Sequence, residues 1–315
     1  MRIAFWGTPD VAVPSLTALV NATDIDVICV ITNPDRPRGR SGTPAPSPVK
    51  SAALEHGLDV LQPDHPRTLI DTLIDMNLDA CAVVAYGSIL PPSLLATARN
   101  GFVNLHFSLL PRWRGAAPVQ WAIRAGDTET GITTFVLDQG MDTGAILTQL
   151  AVPLGRDDTT QSVLHDLAER GAPELVHALR GLCAGTITPR PQPSDGATLA
   201  PKISRVDVAL TFTKPAIVLD SLTRSADPQP GAHARFRGET VKVFRAVTVT
   251  DTTYDNAPCG TVVALSQDGP VIACGSGAVT LTELQLPGKP RRDGHSVANG
   301  LRIAVGEQFS DGISA

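Results

Sequence analysis

The sequence is poor in the features that mark several large protein classes. Its five cysteines, Cys29, Cys81, Cys183, Cys259 and Cys274, are odd in number, widely spaced and contain no CxxC pair. That argues against both a disulfide framework and a thiolate zinc cluster. None stands beside a candidate base, so cysteine nucleophilic catalysis is not expected; Cys29 and Cys81 lie in apolar runs and read as core. No apolar run reaches the roughly 18–20 residues needed to span a bilayer. The start, Met1-Arg2-Ile3-Ala4-Phe5-Trp6-Gly7, has one basic residue and a short apolar run. That is too little for a signal peptide, and the expectation is a cytoplasmic chain with a first strand at its start and no membrane association. There is no P-loop and no G-x-S-x-G nucleophile elbow. Gly7-Thr8-Pro9 is not G-x-G-x-x-G, and no acidic residue is well placed about 20 positions on, so a nicotinamide cofactor is not expected.

The 315 residues suffice for two domains, and 43% hydrophobic with 18% charged is a globular composition. The net charge of −5 is uneven: residues 1–200 hold 14 Lys and Arg against 20 Asp and Glu, and residues 201–315 hold 12 against 11. A polyanionic partner would therefore need local basic patches.

Strand and helix signals alternate over the first 190 residues. Strands are expected at Arg2–Trp6, Ile25–Thr32, Val60–Gln62, Asp79–Ala85, Phe102–Phe107, Thr130–Leu137 and Ala145–Pro153. Helices are expected at Val11–Val20, Ser47–His56, Thr68–Met76, Ala117–Ala125 and Thr160–Leu182, the last with an interruption near Gly171 and Pro173. Apolar strands separated by helices predict an α/β fold with a parallel sheet covered on both faces. The proline-rich stretch Thr188–Pro201 has no periodicity and reads as a linker. Beyond it, an extended Arg205–Thr213, one helix at Lys214–Arg224 and five short strands between Ala232 and Leu286 predict a small OB-like β-barrel. The expected organisation is a catalytic domain over 1–187, a linker over 188–204 and a barrel over 205–315.

Asn104-Leu105-His106-Phe107-Ser108-Leu109-Leu110-Pro111 is the strongest local signal. Side chains alternate along a strand, so Asn104 and His106 share a face, and Pro111 stops the strand. An amide and an imidazole then project together at the carboxyl end of a parallel strand, where open α/β sheets bind ligands. Asp138-Gln139-Gly140-Met141-Asp142-Thr143-Gly144 follows the strand Thr130–Leu137 and reads as a tight loop. One of its aspartates can cap the turn while the other faces a pocket. An Asp beside a His orients the ring, and a charged His and an Asn amide can both donate to a developing oxyanion. Thr32–Lys50 holds Arg36, Arg38, Arg40 and Lys50 against Asp35. It reads as a basic loop able to contact a phosphate backbone.

These residues resemble the folate-dependent formyltransferases: N-x-H followed by SLLP, with D-x-G-x-D-T-G downstream. The likeness extends to Gly7-Thr8-Pro9, Pro34-Asp35-Arg36-Pro37, Pro46-Ser47-Pro48-Val49-Lys50, Val84-Ala85-Tyr86-Gly87 and Leu109–Pro118. It is dense to about residue 185 and thin afterwards. It implies a Rossmann-like formyltransferase domain, an OB-like barrel that helps bind tRNA, and 10-formyltetrahydrofolate as co-substrate with no metal. The acceptor it implies is the amine of methionyl initiator tRNA, on a protein expected to be a monomer. Asn104, His106 and Asp142 would be catalytic. Ser108, Leu109, Leu110 and Pro111 would line the folate site with Tyr86 and Gly87 nearby, and Arg36, Arg38 and Arg40 would meet tRNA. Alternatives are a formyltransferase for a small amine such as an amino sugar nucleotide, and a hydrolase of the same folate.

Overall fold

The computed structural model describes residues 1–37, 42, 44–249, 254 and 256–312. Its contacts divide the chain into two compact units. The first holds Met1–Pro118, Glu129–Pro153 and Leu164–Pro201; the second holds Val119–Thr128, Leu154–Val163 and Lys202–Ala315.

The strands of the first unit are β1 (Arg2–Gly7), β2 (Asp26–Ile31), the short pair β3 (Arg36–Pro37) and β4 (Pro44–Ala45), β5 (Val60–Leu61), β6 (Ala80–Val84), β7 (Phe102–His106), β8 (Glu129–Val136) and β9 (Ile146–Pro153). The main sheet runs β5-β2-β1-β6-β7-β8-β9. From β5 to β7 every pairing is parallel. β8 and β9 add antiparallel strands, which the alternating pattern did not predict. The short 137–145 link explains the second of these, because a parallel crossover needs a dozen residues or more.

Apolar content on both faces drives this sheet together. All five residues of β6 are buried, and Trp6 packs edge-on to Tyr86 with ring centroids 5.0 Å apart. Burial pushes the Cys29 thiol up to about 12 and raises that of Cys81 as well, so both remain protonated core residues.

The helices up to residue 183 are α1 (Val13–Val20), α2 (Pro48–Glu55), α3 (Ile70–Asp75), α4 (Pro92–Leu95), α5 (Pro118–Ala125) and α6 (Thr160–Cys183), of which residues 119–125 of α5 and 160–163 of α6 fall in the second unit. Ser47 caps α2 by accepting from the Lys50 N–H at 2.9 Å, with Pro48 in the first turn. α6 is one helix, without the expected interruption. Gly171 lies against β7, where a Cβ would come 2.8 Å from Leu105 Cδ2. Its small size therefore serves close packing rather than a break.

The second unit contains α7 (Ala216–Ala226), β10 (Ala232–Phe236), β11 (Glu239–Val249), β12 (Val262–Leu265), β13 (Pro270–Ala273), β14 (Ala278–Gln285), β15 (Arg292–Asp293), α8 (Gly294–Leu301) and β16 (Phe309–Ser310). Its sheet runs β12-β13-β14-β11-β10-β16, with β15 on β14. The Val262 N–H donates to the Glu307 carbonyl and the Phe309 N–H to the Gly260 carbonyl, each at 2.8 Å. Those bonds tie the two ends of the sheet together and curl it, as an OB-like barrel requires. Stacked Phe236 and Phe309, 4.5 Å apart, fill its interior.

Two expectations fail in this unit. Arg205–Thr213 is not a strand; Val206–Val208 forms a 3-10 turn, with Asp207 accepting from Ser204. There is also a second helix, α8, capped by Asp293 accepting from the Ser296 N–H at 2.7 Å. Its two glycines lower intrinsic helix propensity, so the sequence concealed it. Among the described residues no helix is long and apolar enough to cross a membrane.

Candidate active site

β1 lies at the middle of the parallel order, where the sequence of strand addition turns from one side of the sheet to the other, and ligands gather beyond the carboxyl ends of strands at such a point. Three strand ends are tied together there. The Asn33 side-chain amide donates to Thr8 Oγ1 at 2.9 Å and to the Tyr86 carbonyl at 2.8 Å. They border a cleft of about 340 Å³ lined by Thr8, Asn33, Pro34, Ser47, Gly87 and Ser88 together with Arg36 and Ala45 of the short β3–β4 pair. A second cleft, of about 350 Å³, is lined by His65, Pro66, Arg67, the 89–92 segment and Gln139.

β7 carries the polar pair. Four of its five residues are buried and Asn104 alone is partly open. Among the described residues the Asn104 side-chain amide makes no hydrogen bond. His106, two residues on and on the same face, is 6% exposed. Its Nε2 lies 3.0 Å from the Trp113 carbonyl. A carbonyl only accepts, so Nε2 carries the proton and the ring orientation is set. Nδ1 faces Asp142 Oδ2 at 3.8 Å, ion-pair range but too long for a hydrogen bond.

The two aspartates of the 138–144 loop differ in what they hold. Asp138 Oδ1 accepts from the Gly140 N–H at 2.9 Å and from Thr143 Oγ1 at 2.7 Å, which closes the turn. Asp142 sits at φ +53°, a left-handed conformation that Asp tolerates better than most residues. Its Oδ2 accepts from the Gly115 N–H at 2.8 Å. Gly144 must be glycine, since a Cβ there would lie 1.7 Å from the Val136 carbonyl oxygen.

The turn after β7 is tightly closed. Ser108 is fully buried, and its Oγ donates to the Arg112 carbonyl at 2.6 Å. The Leu110 N–H donates to Thr133 Oγ1 at 3.0 Å. Leu110 is also buried, while Leu109 and Pro111 are partly exposed. The Tyr86 ring lies in the core at 3% exposure and its carbonyl is engaged by Asn33 and Thr8, leaving Gly87 at the cleft. Arg36 is exposed on β3, whereas Arg38 and Arg40 lie outside the described residues. Lys50 is not a free cation of the basic loop, because its Nζ pairs with Asp35 at 2.6 Å.

Several residues around the site carried no signal in the sequence. His65 and Ile89 line the second cleft. The stretch read as a linker lies along the 112–117 turn: the Trp113 N–H donates to Thr198 Oγ1 at 2.9 Å, and the Ala200 N–H donates to the Arg114 carbonyl at 2.7 Å. Gln192, from the same stretch, bonds to Arg114 and to the Asp142 loop. Such long-range pairings have no local pattern.

Chemically, the arrangement offers hydrogen-bond donors and a carboxylate, with no free nucleophile beside them among the described residues. Among the described residues no group of three or more His, Cys, Asp or Glu could hold a metal ion.

Comparison with known proteins adds to this. The model of the formyl transferase family matches residues 1–179, and that of the formyl transferase C-terminal domain matches residues 202–302. A methionyl-tRNA formyltransferase of Myxococcus xanthus is 43% identical over 309 residues, 98% of this chain and 97% of that protein. One from Thermobifida fusca is 42% identical over 314 residues, 99% of this chain and all of that protein. Among solved structures, an N-formyltransferase from Helicobacter canadensis, in complex with folinic acid and dTDP-3-aminofucose, superposes with a TM-score of 0.68 at 16% identity. The match covers 89% of this chain and 99% of that one. At that identity the likeness is one of fold.

Proposed function

Because the chain belongs to the formyl transferase family, we infer that it catalyses the reaction named by its methionyl-tRNA formyltransferase relatives. It transfers the formyl group of 10-formyltetrahydrofolate to the amino group of methionyl initiator tRNA, yielding formylmethionyl-tRNA for translation initiation. The observation that carries this reading at the site is the donor pair Asn104 and His106 beside Asp142, with the nearby Ser108 hydroxyl already engaged. Direct transfer to an amine needs donors and a base, not a nucleophile of the enzyme.

The cleft walled by Ile89, Leu90, Pro91 and Pro92, with Gln139 as a polar group, fits a flat ring that is part apolar and part hydrogen-bonding. The 108–111 turn and the Tyr86-Gly87 backbone border the site. The folate supplies an activated formyl carbon. Asn104 Nδ2 and the Nδ1 edge of His106 donate to the oxygen as the amine adds to that carbon. Asp142 orients the imidazole and takes a proton from the attacking amine; as the tetrahedral adduct collapses, the bond between the formyl carbon and the folate nitrogen breaks, that nitrogen takes up a proton, and tetrahydrofolate leaves. These donors act most strongly on charge that develops in the transition state, so they accelerate transfer rather than merely bind substrate. Arg36, Arg38 and Arg40 hold tRNA phosphate, and the barrel over 205–315 adds to tRNA binding. The enzyme works as a cytoplasmic monomer on this reading.

The experiment is formyl transfer by purified protein from 10-formyltetrahydrofolate to charged initiator tRNA, beside free methionine and water. Formylated tRNA alone is the expected product. Formate release without acceptor, or an equal rate on free methionine, would replace this reading with a hydrolase or a small-amine transferase.

A further inference from the structure

Gln192 makes a complete set of hydrogen bonds. Its Nε2 donates to the Asp142 carbonyl at 2.7 Å and to the Gly144 carbonyl at 2.9 Å. Its Oε1 accepts from Arg114 Nε at 3.0 Å and Nη2 at 2.6 Å. A primary amide has two N–H donors and two acceptor lone pairs, and all four are used here. The orientation is unambiguous, because a flipped amide would set its nitrogen against a guanidinium and its oxygen against two carbonyls.

Asp142 is held by contacts from several sides. Its left-handed backbone lies between Gly140 and Gly144, and Asp138 closes the loop on either side of it through the Gly140 N–H and the Thr143 hydroxyl, without touching the Asp142 carboxylate or carbonyl. The carboxylate is held by the Gly115 N–H, and the carbonyl is held by Gln192. Both restraints trace to one place, since Arg114 precedes Gly115 and holds the far end of the Gln192 amide. Arg114 is itself fixed at the backbone, its N–H donating to the Thr198 carbonyl at 2.9 Å.

We propose that Gln192 is a positioning residue for the transfer reaction, setting the place of the Asp142 carboxylate before His106 by pinning the loop backbone, with Arg114 as its anchor. This rests on the formyl-transfer reading above. It gives the proline-rich stretch a function: prolines flanking Gln192 at 191 and 193 fix its backbone angles and reduce the freedom of the strap.

The test is Gln192→Met, which keeps the size of the side chain and removes its hydrogen bonds. Turnover should fall by roughly 10²-fold, the scale of a displacement near 1 Å. The KM values for 10-formyltetrahydrofolate and charged tRNA should stay within about twofold, as for a contact that matters mainly in the transition state. In an Asp142→Ala background, Gln192→Met should cost nothing further, because its effect runs through Asp142. Amide hydrogen exchange should rise across residues 138–146 and stay unchanged in β1 and β6. Parental turnover, an additive loss in the double variant, unchanged exchange, or failure of Gln192→Met to fold would each overturn the proposal, which requires a displaced loop in an intact fold. The exchange comparison decides the pinning independently of tRNA formylation, so failure of this inference and failure of the functional reading are distinguishable.

Discussion

Both units set an acidic side chain beside a cationic or cationisable one, Asp220 buried in the second unit and Asp142 partly open in the first, and they complete the pairing to different degrees. In the second unit Asp220, 3% exposed, accepts from Arg224 Nε at 2.9 Å and from the Thr248 N–H and Oγ1 at 3.2 and 3.3 Å. Arg224 in turn donates to the Asp158 carbonyl at 3.0 Å. In the first unit Asp142 stands 3.8 Å from His106, short of a hydrogen bond, and the Asn104 amide has no partner among the described residues. The second set is closed around the Asp220 carboxylate and Arg224, with Arg245 Nη1 beside it at 3.7 Å as a buried group left without a hydrogen bond, and satisfied polar groups of this kind stabilise a fold. A set left open has donors and acceptors to offer a substrate.

Breaking each set should therefore cost different things. Asp142→Asn keeps shape and removes charge, and turnover should fall about 10²–10⁴-fold, as for disrupted acid–base catalysis. Its melting temperature should stay near that of the parent. Asp220→Ala should do the reverse. It strands Arg224 and should cost about 3–5 kcal/mol of stability by chemical denaturation, with little change in kcat of the folded fraction. If Asp142→Asn melts early and Asp220→Ala stays stable but slow, the contrast between open and closed pairs is wrong.

A smaller effect sharpens the comparison within the 138–144 loop. Asp138 serves the turn, so Asp138→Asn, which can still accept from Gly140 and Thr143, should reduce turnover far less than Asp142→Asn. Equal losses would mean the two roles are misassigned. Outside the chemistry, replacing Arg36, Arg38 and Arg40 with Ala should raise the KM for charged tRNA and leave that for the folate unchanged. Each lost phosphate contact should flatten the log–log salt dependence by roughly 0.7–0.9. An unchanged salt slope would remove the loop from the tRNA interface.

The smallest effect concerns stability and pH. Burial, and secondarily Arg205, hold the pKa of His233 in the second unit below the ordinary imidazole value of 6.5. The unfolded chain then takes up a proton that the folded state resists. Stability should fall as pH drops from about 6.5 toward the lowered folded value, then level off. His233→Asn should flatten that window in denaturation curves measured across it.

Local patterns made much of this legible. Alternation along a strand places Asn104 and His106 on one face, and the apolar runs mark β1, β2, β6 and β7 within a residue or two. The loop composition of 138–144 announces a turn but cannot say which aspartate closes it; only the bonds from Gly140 and Thr143 to Asp138 decide that. α8 was hidden because its glycines oppose helix and tertiary packing overrides them. Lys50 looked like part of the basic loop, whereas Asp35 and Gln62 engage it. Gln192 was invisible for a different reason. A proline-rich stretch without periodicity looks like a tether, and its pairing with residues 114, 142 and 144 spans 48 to 78 positions.

The most direct test of the open-site account is single-turnover formylation of charged initiator tRNA by Asn104→Ala. With its amide unpaired in the folded protein, Asn104 should contribute in the transition state alone. The account predicts a rate at least roughly 10²-fold below the parent, with folate affinity and melting temperature unchanged. A near-parental rate, or a loss confined to folate affinity, would contradict it.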